Sequence, residues 1–180
     1  SGSIEESPIE PDLIWTGSND GQVHITRDGG INWKNVTENI PNLPKWGTIA
    51  SIQPSKYEEG WAYITVDLHQ MGDFGTYGYL TTDYGKTWMK ITDNIPQSVH
   101  GFAHVLIEDP KRRGMLYLGV DNGLYVSWDY GQNWMRLKNN LPPAPVYWLT
   151  IQELFDDLVV GTYGRGYYIL DDLSALRQYD

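Results

Sequence analysis

Runs of β-branched and aromatic residues alternate along this 180-residue chain with clusters of Gly, Pro, Asp and Asn. Thr48 to Gln53 (TIASIQ), Gly60 to Leu68 (GWAYITVDL), Tyr77 to Asp83 (YGYLTTD) and Thr87 to Ile95 (TWMKITDNI) are four such runs in succession. Each is short and carries the residue types that suit a pleated, half-buried surface, so each is predicted to be a β-strand. The series recurs as AHVLIED, MLYLGVD, LYVSWD and NWMRLKN, and again as VYWLTIQEL, DLVVGTYG and GYYILDD, after which no fourth run follows. Near the N-terminus SIEESP aligns with VLIEDP, Pro8 matching Pro110, which places the start of the chain inside a first strand. No 3.6-residue periodicity competes with this pattern.

The strands are punctuated by one recurring string: ITRDGGINWKNVTENIP from Ile25, TTDYGKTWMKITDNIP from Thr81 and VSWDYGQNWMRLKNNLP from Val126. Its aspartates, Asp28, Asp83 and Asp129, lie 55 and 46 residues apart. Self-similarity at such a period marks a repeat architecture whose units bury their apolar faces against one another. Four antiparallel strands per unit predict an all-β fold, a β-propeller fragment of about four four-stranded blades over residues 4–41, 47–96, 102–142 and 146–176. The opening SGS reads as a cloning remnant outside that fold. A β-sandwich also yields short strands at regular spacing and is the competing architecture, against which the strict recurrence argues.

The repeated string falls where the third strand must reverse into the fourth. Gly30, Gly85 and Gly131 supply the positive φ of a tight hairpin, and Asp28, Asp83 and Asp129 can accept hydrogen bonds from N–H groups that the turn leaves unpaired. Thr26, Thr81 and Ser127 add a hydroxyl two residues earlier, and Trp33, Trp88 and Trp134 open the fourth strand with a ring large enough to cover the hairpin. These residues are expected to fasten the fold; a catalytic carboxylate need not recur in every repeat. The strings resemble the Asp-box, or BNR, repeats of sialidases, xyloglucanases and sortilin-type receptors. Over a longer span, DLHQMGDFGTYGYLTTDYGKTW with VVGTYGRGYYILDDLSALRQ resembles the last blades of large secreted bacterial BNR-repeat, glycosyl-hydrolase-like proteins. That resemblance implies a piece of a larger propeller and an extracellular or periplasmic address. It does not imply an activity, because the motif occurs on propellers of unrelated function.

Composition narrows the partners. A formal net charge of −10 repels a phosphate backbone over most of the surface, which argues against nucleic acid. Cysteine is absent, so neither disulfides nor thiolate zinc sites exist. No run reaches the roughly 18 apolar residues of a membrane span, so no membrane partner is expected. The 8 Trp and 13 Tyr against 3 Phe favour amphipathic rings, which serve both packing and recognition.

Antiparallel geometry assigns the loops. With the aspartate hairpins on one rim, the second-to-third turns and the connections between units emerge on the other, which is the face that carries the active site in sialidase-like propellers, as the resemblance implies. Candidate ligand-binding residues there are Trp46, His69, Phe74, Trp148, Tyr163 and Arg165, beside Lys45, His100, Phe102 and Tyr147. The excursion DLHQMGDFGTY, from Asp67, is present in one repeat only and is where specificity would be grafted. Asp67, His69 and Asp73 within it either converge on a cation, calcium being the one their oxygens suit, or form a self-bonded loop. Arg165 is placed to clamp a carboxylate or to pair with Asp171 or Asp172. A glycosidase would draw its two carboxylates from Asp20, Asp67, Asp73 and Asp121, whereas a sialidase would need more arginines than this rim has. The reading is therefore a non-catalytic module for scaffolding or for glycan or protein recognition, needing no cofactor. Half of a glycoside hydrolase cleft is the alternative, with a cation-stabilised structural module third. Four units leave two open ends, so the remaining blades of a parent propeller or a second copy of the chain are expected as partners.

Overall fold

The computed structural model describes residues 2–44, 46–138 and 141–179. Four antiparallel sheets follow one another along the chain. The first holds β1 (Gly2–Glu6), β2 (Ile14–Ser18), β3 (Val23–Thr26) and β4 (Lys34–Asn35); the second β5 (Thr48–Pro54), β6 (Ala62–Asp67), β7 (Tyr77–Thr81) and β8 (Met89–Lys90). The third holds β9 (Ala103–Glu108), β10 (Leu116–Val120), β11 (Gly123–Ser127) and β12 (Met135–Leu137); the fourth has three strands, β13 (Val146–Gln152), β14 (Asp157–Thr162) and β15 (Tyr167–Leu170). Strand order in every sheet is sequence order. First strands of successive sheets adjoin, β1 to β5, β5 to β9 and β9 to β13, so the sheets fan out from a shared inner edge. The fan is open, leaving Ile4 of the first sheet 73% exposed and Ile169 of the fourth 59% exposed.

Two boundaries differ from the sequence reading. Gly2 and Ser3 are not outside the fold: they pair with Ser18 and Gly17 and lengthen β1. The fourth strands are also far shorter than Thr87 to Ile95 suggests, β8 being two residues long. The reason is a hydroxyl that takes the next rung of the ladder. Val23 N donates to Thr37 Oγ1 at 2.7 Å and Gly78 N to Thr92 Oγ1 at 3.1 Å, which frees the backbone to leave the sheet edge. In the fourth sheet, where no fourth strand was expected, α1 (Leu173–Arg177) follows instead, and its Leu173 and Leu176 pack against Leu137 and Tyr168.

The three hairpins share one hydrogen-bond scheme. Asp83 Oδ1 accepts from Thr81 Oγ1 at 2.9 Å and from Thr87 N at 2.9 Å, while Oδ2 accepts from Thr87 Oγ1 at 2.6 Å. Asp28 does the same with Thr26 and Asn32, and Asp129 with Ser127 and Asn133. The hydroxyl in turn accepts from the hairpin glycine, Gly85 N to Thr81 Oγ1 at 2.8 Å. Each hairpin is tied to its own first-to-second turn through Gly29 N to Asp12 O, Tyr84 N to Gly60 O and Tyr130 N to Gly114 O.

The second and third hairpins also seat on the sheet before them. Gly85 (φ 80°) faces Val36, where a Cβ would stand 3.0 Å from the valine, and Gly131 (φ 87°) faces Ile91 at 2.8 Å. Trp88 meets Trp15 edge to face at 6.0 Å, and Trp134 Nε1 donates to Ile91 O at 2.8 Å. The asparagine of the closing Asn-Ile-Pro clasps the next hairpin, Asn39 Nδ2 donating to Gly85 O at 2.9 Å and Asn94 Nδ2 to Gln132 O.

Acid should test this scheme. Hydrogen bonds from Asn32, the backbone one first, hold the Asp28 carboxyl down at about 2. For Asp83 and Asp129 partial burial opposes ionisation, but bonds from Thr87 and Asn133 outweigh it and both are lowered. A depressed carboxylate stabilises the fold fully above its ordinary value of 3.8 and loses that contribution as pH falls towards about 2. Glu108, raised by burial, acts in the opposite sense. The expected melting temperature therefore falls between about pH 4 and 2, and an Asp83→Asn variant flattens that fall. An unchanged slope in the variant would refute the assignment.

Candidate functional site

The rim opposite the hairpins is built by a backbone irregularity that recurs at one place in three sheets. In β5, β9 and β13 the register against the second strand slips by one residue, leaving Ala50, His104 and Tyr147 bulged at equivalent positions of the inner strands. A bulge twists the strand and re-aims the extra side chain, a device found beside functional sites. Here it brings His104 and Tyr147 together from neighbouring sheets, their rings stacked 4.1 Å apart at 27°.

These two rings lie in the middle of a longer ladder. Phe102 meets His104 edge-on at 5.1 Å and stacks on His69 at 4.4 Å; Phe74 lies 6.2 Å from Phe102, and Tyr163 lies 6.0 Å from Tyr147. The row runs across the second, third and fourth sheets, with Phe102 and His104 buried and Tyr147 and Tyr163 exposed. Two carboxylates flank it. Asp67 Oδ1 accepts from His69 Nδ1 at 2.6 Å and from His69 N at 2.9 Å. Asp121 Oδ1 lies 3.2 Å from His104 Nε2, and its Oδ2 lies 3.7 Å from His100 Nδ1. An ionised carboxylate only accepts, so Nε2 of His104 carries the proton. Burial pushes the His104 pKa down, against the Asp121 bond and the nearby Asp67 charge, both of which raise it. The imidazole is thus a neutral ring at pH 7. Burial first, then Asp121 and Asp67, pushes the Tyr147 hydroxyl up, which keeps it a donor.

The candidates named from the sequence separate into groups. Asp67, His69, Phe74, Asp121 and Tyr163 belong to the ladder or its flanks. Asp73 turns away from it: Oδ2 accepts from Tyr77 Oη at 2.6 Å and Oδ1 from Gly75 N at 3.0 Å. That bond, followed by burial, pushes Tyr77 up to about 12. With Asp67 bound to His69 and Asp73 to Tyr77, the excursion bonds to itself, and among the described residues no three His, Asp or Glu side chains gather as a metal-ligand set. Asp20 accepts from Ser18 Oγ in the first sheet. Trp46, 72% exposed at a left-handed φ of 72°, lines a separate groove of about 490 Å³ with Asp20, Gln22 and Leu43. Trp148 follows the bulged Tyr147 and meets Tyr167 edge to face at 5.9 Å. Arg165 lies in the turn between Gly164 and Gly166 and has no ion pair among the described residues, with Asp171 or Asp172 included. Lys45 lies outside the described residues.

The residue that sequence reasoning missed is His104. Its run, AHVLIED, reads as an ordinary strand, and a bulge leaves no mark in hydrophobicity. The one available signal was the repeat itself: Ala50, His104 and Tyr147 vary at a position whose preceding residues, Ile49, Ala103 and Val146, are all apolar.

No family model and no curated protein matches the chain. Among solved structures, the GH74 xyloglucanase from Xanthomonas campestris superposes with a TM-score of 0.73 at 17% identity, over 94% of this chain and 28% of that one. The fold is a partial β-propeller. The extracellular domain of BT4673 from B. thetaiotaomicron matches this propeller with a TM-score of 0.68 at 17% identity, over 92% of the chain and 20% of its own. YCF48 from Cyanidioschyzon merolae gives 0.62 at 16% identity, over 93% and 51%. The chain thus spans about half of YCF48 and about a quarter of the xyloglucanase, and its sheets are propeller blades. Among the described residues no helix is long and apolar enough to cross a membrane.

Proposed function

We propose that the chain is a non-catalytic recognition module of an extracellular Asp-box propeller and that it holds a neutral glycan along the ring ladder of its axial rim. The observation that carries this reading is the ladder itself, whose exposed rings Phe74, Tyr147 and Tyr163 are backed by the buried Phe102 and His104 over three blades and flanked by the acceptors Asp67 and Asp121. Flat rings take the apolar faces of sugar rings, and carboxylates accept from hydroxyls. The net charge of −10 favours an uncharged ligand over an acidic one. The likeness to the extracellular domain of BT4673 supports the address.

Titration with soluble xyloglucan and cello-oligosaccharides, followed by Trp fluorescence and calorimetry, is the direct test. Tyr147→Ala should weaken binding about 10-fold, which is about 1.4 kcal/mol, in line with a stacked ring lost from a partly desolvated site. Binding that survives Tyr147→Ala unchanged, or no binding to any neutral glycan, rejects the reading. The likeness to the xyloglucanase favours a second reading, half of a hydrolase cleft. It predicts release of reducing ends by the chain, lost in Asp67→Asn or Asp121→Asn; under the first reading no reducing ends appear.

A further inference from the structure

We propose that the groove at Trp46 is a second binding site, which takes the cationic side chain of a lysine or arginine on a partner protein. The inference does not rest on the glycan reading. The groove is walled by the first blade and by its connection to the second. Its occupant is read from one position compared across three blades. Asn35 pairs with His24, Lys90 with Tyr79 and Arg136 with Tyr125, so all three stand at the same rung between third and fourth strands. In the second blade this position holds a cation: Lys90 Nζ lies 4.8 Å from the centre of the Tyr77 ring and 3.0 Å from Asp93 Oδ1. In the third blade the Arg136 guanidinium lies over the Tyr125 ring at 5.7 Å and donates to Asn122 in the turn between β10 and β11.

The first blade keeps the acid and lacks the cation. Glu38 follows Thr37 as Asp93 follows Thr92, yet the residue at the cation's position is the short amide of Asn35. Asn35 Nδ2 donates to Gln22 Oε1 at 2.8 Å and its Oδ1 accepts from Thr37 N at 2.9 Å, which holds it against its own blade. The groove, of about 490 Å³, opens at this point. Its lining suits what is missing. Glu38 and Asp20 stand exposed on its wall, and neither has an ion pair among the described residues. Trp46, 72% exposed, supplies an indole, the ring that attracts a cation most strongly, in the role Tyr77 and Tyr125 play in the other blades. Ile40 and Leu43 give an apolar floor for the methylenes of a long basic side chain. A net charge of −10 draws a basic partner towards the surface.

The test is a titration of the whole chain with a capped Gly-Lys-Gly peptide, read at the indole N–H resonance of Trp46, which Trp46→Phe assigns. The peptide should shift that resonance, and its ε-acetylated form, which keeps the shape and loses the charge, should not. Glu38→Gln should weaken binding about 5-fold, the order of one well-placed exposed charge pair. Asp93→Asn, which touches the internal pair of the second blade, should leave binding unchanged. Asn35→Lys should abolish it, because the chain then supplies the cation itself. No shift with the peptide, or an equal shift with its ε-acetylated form or with a cello-oligosaccharide, overturns the proposal. So does binding that survives both Glu38→Gln and Asn35→Lys, or binding seen only in Lys45→Ala, which would assign the groove to a lysine of the chain itself.

Discussion

Replacing Asp109 with alanine is expected to cost about 3–5 kcal/mol, the range for removing one partner of a buried ion pair. Asp109 is fully buried at the end of β9, on the hairpin rim. Its Oδ1 accepts from Lys111 N at 2.7 Å and Arg112 N at 3.0 Å, and Oδ2 accepts from Tyr117 Oη at 2.7 Å. Both oxygens accept from Arg177 Nε, at 2.9 and 3.0 Å. Ser7 and Ser55 cap the same turn in the first two blades, bonding Ile9 and Glu10, and Tyr57 and Glu58, through one oxygen. The aspartate does their work and has an acceptor and a charge to spare, which it uses to anchor α1. Without it Arg177, whose side chain is 10% exposed and whose Nη2 already lacks a partner among the described residues, keeps Asp156 alone of them. Urea unfolding reads the loss. Arg177→Met added to Asp109→Ala should recover a substantial part of it, because the stranded charge is gone. A single-variant loss below about 1 kcal/mol would mean that Arg177 escapes to solvent at little cost.

Trp88→Ala is expected to destabilise by about 3–5 kcal/mol, as for other buried large-to-small aromatic changes. The ring fills the junction between the first and second blades against Trp15 and closes its own hairpin through Nε1 to Gly85 O at 3.1 Å. The informative comparison is Trp33→Ala, the same residue in the same motif. There the expected loss for the isolated chain is within about 0.5 kcal/mol, as for a surface substitution. Equal losses at the two sites would show that the tryptophan acts within its hairpin and not across the blade junction. Thermal and urea melts of both variants at a concentration that keeps the chain monomeric decide between them.

These residues show what was legible in the sequence. Asp83, Gly85 and Trp88 could be assigned because their task is local: a turn of given φ needs a glycine, and a donor-rich loop needs a carboxylate. Strand number per blade followed from alternation, and the missing fourth strand of the last blade from its interruption. Convergence of side chains was not legible. Asp67 and Asp73 are six positions apart, yet one bonds His69 and the other Tyr77, because the intervening turn faces them apart. Arg165 lay beside two acids in sequence and pairs with neither, since β15 runs between them. The short fourth strands depended on Thr37 and Thr92 reaching a backbone N–H of another strand. Such contacts are set by register, which composition and spacing do not encode.

The displaced residue on each inner strand has a consequence for how such a module diversifies. Ala50, His104 and Tyr147 have no opposite partner in the pleat, so exchanging one for another leaves every rung of the sheets intact. Apolar, titratable and phenolic chemistry already occupy three adjacent blades at no detectable disturbance to the frame. A surface assembled this way can be rewritten one letter per blade while its architecture stands still.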